Sequence, residues 1–284
     1  LFAFECAEAA FQFFHLGARA GGQSLHTVEF GAGDKIAFGK YLVDALLDHT
    51  LDLVTHLAER PQRAGGHACH IIEEFEAVQI DAFFESMMPG PETQPLFDTS
   101  KELGIGFYLG YAEISRENGK VSHYNTSVLV DANGEIVGKY RKVHLPGHAE
   151  HEPWRPFQHL EKRYFEPSPE GFKSWNAFGG KMGMALCNDR RWPETYRVMA
   201  LQGVELLMMG YNTPMHYPPV PDHDHLQGFH NHLCMQAGAY QNGMWVVGVA
   251  KAGCEEGCDL LGQTCIISPT GEIVAMANTL DDEL

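Results

Sequence analysis

Apolar and polar positions follow two textures along the chain. Over 1–20 and 40–60, Ala, Leu and Phe recur at mixed three-and-four spacing, which predicts helices. Gly-rich or broken stretches at 21–39 and 61–70 separate them. From residue 79 the pattern sharpens. A short helix is predicted over 79–87, closed by Pro89-Gly90, and a second over 96–103. The run 104–112 reads as a strand. Strands at 122–130 and 135–139 flank Asp131-Ala132-Asn133-Gly134, a hairpin signal. The apolar run KMGMAL at 181–186 is a strand that ends at Cys187. A helix over 193–202, a strand over 203–209, a helix over 226–242 and a strand over 244–250 follow. The last pair, 264–268 and 272–277, forms a hairpin around Pro269-Thr270-Gly271. Strands alternating with helices, with hairpins mixed in, predict an α/β fold with a mixed sheet. No linker-like tract interrupts the chain, so 1–284 is read as one domain.

Composition narrows the function classes. At 284 residues and 44% hydrophobic content, the chain can bury a sizeable core. No apolar run reaches the roughly 18 residues that a membrane helix needs, so no membrane partner is expected. Lys plus Arg number 20 against 37 acidic residues, a formal charge of −17. A duplex-binding protein needs a basic face, so nucleic acid is not an expected partner either. A small anion stays open, because a local Arg pair can bind one inside an acidic protein. Seven cysteines do not read as a small-domain disulfide framework. Reduced thiols and a cytoplasmic setting are expected. Glu5 and Glu8 replace the basic start of a signal peptide. The missing initial Met and the stop at TLDDEL are read as marks of a fragment or of cloning boundaries.

Two segments concentrate chemistry. Cys187 sits where a buried strand gives way to a helix, followed by Asn188, Asp189, Arg190, Arg191, Trp192 and Pro193. A thiolate is the competent nucleophile of a cysteine, and cations or a helix N-terminus favour it. Pro193 suits a first helical turn. On these grounds Cys187 is either a nucleophile or a buried structural thiol. The second segment, 139–148, carries Lys139, Arg141, Lys142, His144 and His148. A Lys there can stabilise charge on a carbonyl oxygen, or the segment is a solvated basic face. Further on, Glu161 stands among cations in HLEKRYF, where a surface ion pair is the alternative.

The segments MPGPETQPLF, LGIGFYLGYAE, YNTSVLVDANGEIVGKYRKVHLPGH, RPFQHLEKRYFEP, KMGMALCNDRRWPE, GYNTP, HDHLQGFHNHLCMQAGAYQNG and LLGQTCIISPTGEIVA together resemble the nitrilase superfamily of carbon–nitrogen hydrolases. Within it, they resemble the branch that hydrolyses N-carbamoyl-D-amino acids. The likeness runs from 79 to 284. It implies a four-layer α-β-β-α sandwich, incomplete in its N-terminal part and without the family's C-terminal tail. It implies a homodimer or homotetramer and no metal or organic cofactor. By motif match, Cys187 is the nucleophile, Lys142 polarises the carbonyl, and Glu161 orients the lysine. His144 and His159 lie near the substrate, Arg190 and Arg191 hold its carboxylate, and Asn212 and Thr213 line the same pocket. The implied reaction is hydrolysis of an N-carbamoyl-D-amino acid to the D-amino acid, carbon dioxide and ammonia, through a thioester-type intermediate.

One part of the pattern departs from the family. Its general-base Glu lies in an early motif of the type F-P-E-L-A-L, which is missing here. An ungapped count places that position at Gln62, and Gln cannot take a proton. Either another carboxylate (Glu29, Glu59, Glu73 or Glu74) is recruited, or residues 1–78 come from a shifted or chimeric reading frame. A chain that binds ligand without turning it over is therefore the alternative function. A metal-dependent amidohydrolase is a further alternative, because His216, His223, His225, His230 and His232 cluster with Asp222 and Asp224. Gly104-x-Gly106-x-x-x-Gly110 lies inside a strand and is no dinucleotide fingerprint. Cys254 and Cys258, without a second pair, read as structural.

Overall fold

The computed structural model describes residues 12–14, 81–154, 158–217, 220–255 and 258–278. Strand β1 (Gln12–Phe14) leads to a 3-10 turn (Asp81–Phe83), helix α1 (Gln94–Leu103) and three strands: β2 (Gly106–Glu117), β3 (Lys120–Val130) and β4 (Ile136–Arg141). A short helix α2 (Glu161–Tyr164) precedes β5 (Ser174–Ala177) and β6 (Gly180–Leu186). A 3-10 turn (Cys187–Arg191) joins β6 to α3 (Pro193–Leu201). Then come β7 (Leu206–Tyr211), a 3-10 turn (Pro221–Leu226), α4 (Gln227–Asn242) and β8 (Trp245–Ala250). The small hairpin β9 (Cys254–Glu255) and β10 (Cys258–Asp259) precedes β11 (Cys265–Ile267) and β12 (Ile273–Met276).

Besides the β9–β10 hairpin, two larger sheets form among the described residues, ordered β1-β2-β3-β4 and β12-β11-β8-β7-β6-β5. The first is antiparallel throughout, which hairpins allow. In the second, β6, β7 and β8 are parallel, so α3 and α4 serve as crossover helices. Side-chain alternation explains the layers. Phe107, Leu109, Val128 and Val130 face outward from the first sheet onto Leu96 and Phe97 of α1. Tyr108, Leu129 and Tyr140 face inward and pack on Met182, Met184 and Leu206 of the second sheet. The far side of that sheet is covered by Tyr196, Met199, Met235 and Ala239 from α3 and α4. The order is helix, sheet, sheet, helix, the four-layer α-β-β-α sandwich. With both faces covered, the first ten residues of β2 and all of β7 are buried. The Tyr108 hydroxyl donates to the Ala185 carbonyl at 2.9 Å and ties the sheets together near the end of β6.

Four predicted elements differ. Of the helix expected over 79–87, the described residues 81–87 hold only the turn Asp81–Phe83. Glu85 instead bridges to Glu113, donating from N to the Ala112 carbonyl at 2.8 Å and accepting from Ile114 N at 3.0 Å. Pairing with the edge of β2 wins over a helix too short to be stable alone. Within the helix expected over 1–20, residues 12–14 are a strand paired antiparallel with β2. The rest of that segment and the helix expected over 40–60 lie outside the described residues. The strands predicted at 104–112 and 122–130 extend into one long hairpin. It closes at Asn118 (φ 52°) and Gly119 (φ 76°), a turn that needs φ above zero at both positions. Among the described residues no helix is long and apolar enough to cross a membrane.

Candidate active site

The buried strand β6 ends in a strained corner. Cys187 has φ 42°, in the left-handed region that non-glycine residues seldom occupy. Contacts on both sides hold it there. Leu186 N donates to Asp189 Oδ2 at 3.0 Å, and Arg190 Nη1 donates to the Cys187 carbonyl at 2.7 Å. The same nitrogen is 3.8 Å from Cys187 Sγ. Pro193 and Glu194 then start α3, as the sequence predicts. The thiol is partly exposed and faces a cavity of about 500 Å³.

Lys142 follows directly after β4. Its side chain is fully buried, and its ammonium donates to Glu161 Oε1 at 2.6 Å and Oε2 at 2.9 Å. Glu161 opens α2, lines the cavity and also accepts from Asn125 Nδ2 at 2.9 Å. A buried cation held by a hydrogen-bonded carboxylate is a fixed positive charge, suited to stabilising an oxyanion. The pairing of Lys142 with Glu161, expected from the resemblance, is present.

The remaining predicted residues separate into two groups. His159, Arg191, Asn212 and Thr213 line the same cavity as Cys187. Burial, with Lys142, Arg191 and His148 adding like charge, pushes the His159 imidazole down to about 4. It is therefore neutral near pH 7 and able to accept as well as donate a hydrogen bond. Burial and the neighbouring Arg190 lower Arg191 from its ordinary value, yet it remains a cation at any working pH. Arg190 also reaches the cavity, but its donors are largely committed. Nε donates to Asn231 Oδ1 at 2.7 Å and Nη2 to Thr213 Oγ1 at 2.6 Å. Its Cζ stacks 4.0 Å over the Tyr211 ring, whose hydroxyl accepts from Asn231 Nδ2 at 3.0 Å. Of the two arginines, Arg191 is the more available to a ligand carboxylate. His144 does not line the cavity. Its Nδ1 lies 3.0 Å from Asp189 Oδ1, and its ring lies tilted against Phe172 and Trp192, with centroids 5.7 and 5.5 Å away.

Sequence reasoning missed the roles of Asp189 and Tyr140, which bond to each other beside Cys187 and Lys142, and of Asn231 and Tyr211, which hold Arg190. Only Asp189, two residues past Cys187, carries a visible signal. Of the histidines of the metal alternative, His216 lies 2.6 Å from Asp224, and His223 and His230 line the same cavity as Cys187 with ring centroids 6.5 Å apart. Among the described residues, no three His, Cys, Asp or Glu side chains converge as metal ligands. Gln62, Glu29, Glu59, Glu73 and Glu74 lie outside the described residues.

Comparison with known proteins bears on the family and the fold. A citrullinase of Francisella tularensis is 34% identical over 166 residues, covering 57% of this chain and 54% of that protein. An N-carbamoylputrescine amidase of Solanum lycopersicum is 31% identical over 259 residues, covering 82% and 80%. The crystal structure of a carbon-nitrogen hydrolase from Helicobacter pylori superposes with a TM-score of 0.58 at 23% identity, covering 68% of this chain and 64% of that one. Against the citrullinase and the Helicobacter protein, the chain spans less than two thirds of the relative's own length. The profile described as carbon-nitrogen hydrolase matches residues 45–284, starting upstream of residue 79, where the motifs become recognisable. With the sandwich and the cysteine corner, that match places the chain in the carbon-nitrogen hydrolase family.

Proposed function

We propose that the protein hydrolyses N-carbamoyl-D-amino acids. The observation that carries this reading is one cavity lined by Cys187, Arg191 and Glu161, with Lys142 buried against the glutamate. A guanidinium beside the thiol suits a substrate carrying a carboxylate next to the scissile ureido group, since Arg grips carboxylates bidentately. The D-configuration rests on the motif likeness. The names of the two relatives above, a citrullinase and an N-carbamoylputrescine amidase, support a carbamoylated amine as the wider substrate class.

In this reading Cys187 attacks the ureido carbonyl while Arg191 holds the carboxylate. Negative charge develops on the carbonyl oxygen and is met by the Lys142 cation. The carbon–nitrogen bond to the amino acid breaks, and the amine leaves with a proton. Water then hydrolyses the S-carbamoyl group, and the carbamic acid released decomposes to carbon dioxide and ammonia. The thiol proton needs an acceptor. Glu161 is the one carboxylate among the described cavity-lining residues, and Lys142 and Asn125 occupy it. The resemblance implies that the base comes from the segment before residue 79, where Glu29 is the first candidate.

That same occupancy of Glu161 favours a second reading, a site that binds ligand without turnover. Racemic N-carbamoyl-phenylglycine, followed by chiral chromatography, separates the two. Release of the D-amino acid alone, abolished in Cys187→Ala, is the expected result. No release from folded protein whose Cys187 still alkylates establishes the binding-only reading. Release of the L-form overturns the substrate assignment.

A further inference from the structure

The two reactive side chains come from different sheets, and one buried carboxylate joins their flanks. Asp189 has no exposed surface. Its Oδ2 accepts from the Tyr140 hydroxyl at 2.7 Å and from Leu186 N at 3.0 Å. Its Oδ1 accepts from His144 N at 2.9 Å and lies 3.0 Å from His144 Nδ1. Tyr140 and His144 are the residues two before and two after Lys142, and Leu186 immediately precedes Cys187. Four contacts thus fasten both sides of the lysine and the near side of the cysteine to the same two oxygens. The main chain of Asp189 is fixed as well, since its carbonyl accepts from Thr195 Oγ1 at 2.8 Å and from Trp192 N at 3.2 Å. A second strap runs alongside, from Asn188 Nδ2 to the His144 carbonyl at 3.2 Å.

We propose that Asp189 is a positioning residue for hydrolysis, setting where Cys187 stands relative to Lys142. The inference rests on the reading that Cys187 attacks a carbonyl whose charge Lys142 meets. Burial and the Asp189 charge push the Tyr140 phenol well above its ordinary value, so its hydroxyl stays a donor to the clamp. The carboxylate is hard to replace. An amide of the same shape turns one oxygen into an NH2 group, and either orientation sets that NH2 against a backbone N–H, of Leu186 or of His144. The corner at Cys187, already held at φ 42°, then loses a restraint. A displacement of about 1 Å in a reacting group can cost about 100-fold in rate. Arg191 is no part of the clamp, so ligand binding should be little changed.

The test compares Asp189→Asn and Tyr140→Phe with the native protein on N-carbamoyl-D-phenylglycine. Rates are divided by the fraction of Cys187 that iodoacetamide labels in folded protein, read from the mass of its peptide. Asp189→Asn is expected to lower kcat per labelled site about 100-fold with KM changed by no more than about threefold. Tyr140→Phe, which keeps the carboxylate and the ring, is expected to show a smaller loss of the same kind. The double variant should lose less than the product of the two, because both act on one clamp. If Asp189→Asn fails to fold, Tyr140→Phe decides alone. A kcat per labelled site within about twofold of native in the folded variants, or a loss confined to KM, overturns the proposal. Cys187→Ala separates the two levels. Turnover in that variant defeats the nucleophile assignment itself. A dead Cys187→Ala beside fully active clamp variants defeats only the positioning role.

Discussion

His159 makes acid stability a direct test of the site's electrostatics. Its imidazole is pushed down to about 4 by burial, then by Lys142, Arg191 and His148, against 6.5 ordinarily. The folded chain therefore binds this proton less readily than the unfolded chain. The stabilising contribution is complete above pH 6.5 and is lost as pH falls towards 4. The gap between 6.5 and about 4 corresponds to about 3 kcal/mol, all lost below pH 4. Between pH 7 and pH 5 the same two values give a loss of about 2 kcal/mol. Replacing the ring by Gln removes this titration and leaves every other group in place. Urea unfolding of native protein and His159→Gln at a series of pH values between 5 and 7 measures the difference. The native protein should lose about 2 kcal/mol more than the variant over that range. Parallel curves for the two proteins would refute the reasoning, because they would mean that His159 is no less basic folded than unfolded.

Three further outcomes follow from the same geometry. Glu161→Gln leaves the fully buried Lys142 without its countercharge, which should cost about 3–5 kcal/mol in denaturant unfolding, with part regained in the Lys142→Met/Glu161→Gln double variant. Gly147→Ala should lower the melting temperature and weaken substrate binding, measured by thermal unfolding and KM. Gly147 has φ 73°, and an added Cβ would stand 1.9 Å from the His159 carbonyl oxygen. Arg191→Leu should raise KM for an N-carbamoyl-D-amino acid about 10- to 100-fold, the worth of hydrogen bonds to a charged group, while a carbamoylated amine without a carboxylate should show no such rise.

The parts of the fold that the sequence announces are those set by local chemistry. The Asp131–Gly134 turn, the crossover strands and the corner at Cys187 each depend on a few adjacent residues, and each is where the pattern puts it. The turn at Asn118-Gly119 had the same kind of local signal, an Asn-Gly pair, but the polar run around it hid how far both strands extend. The segment at 79–87 was illegible for a different reason. Its apolar spacing fits a helix, while Glu85 within it pairs with β2, more than twenty residues away in sequence. The site divides likewise. Cys187, Lys142 and Glu161 are legible through their motifs. The inward use of Arg190, the placement of His144 against Asp189 and the support from Asn231 and Tyr211 depend on contacts between distant elements, and no spacing rule encodes them.

The account stands on a covalent bond between Cys187 and the substrate carbonyl. The most direct measurement is an acid quench during turnover, followed by the mass of the Cys187 peptide, with N-carbamoyl-D-phenylglycine and its L-enantiomer. The account predicts a peptide heavier by one carbamoyl group with the D-substrate, none with the L-substrate, and none in Cys187→Ala. D-amino acid released with no adduct at any quench time, or the same adduct with both enantiomers, would contradict it.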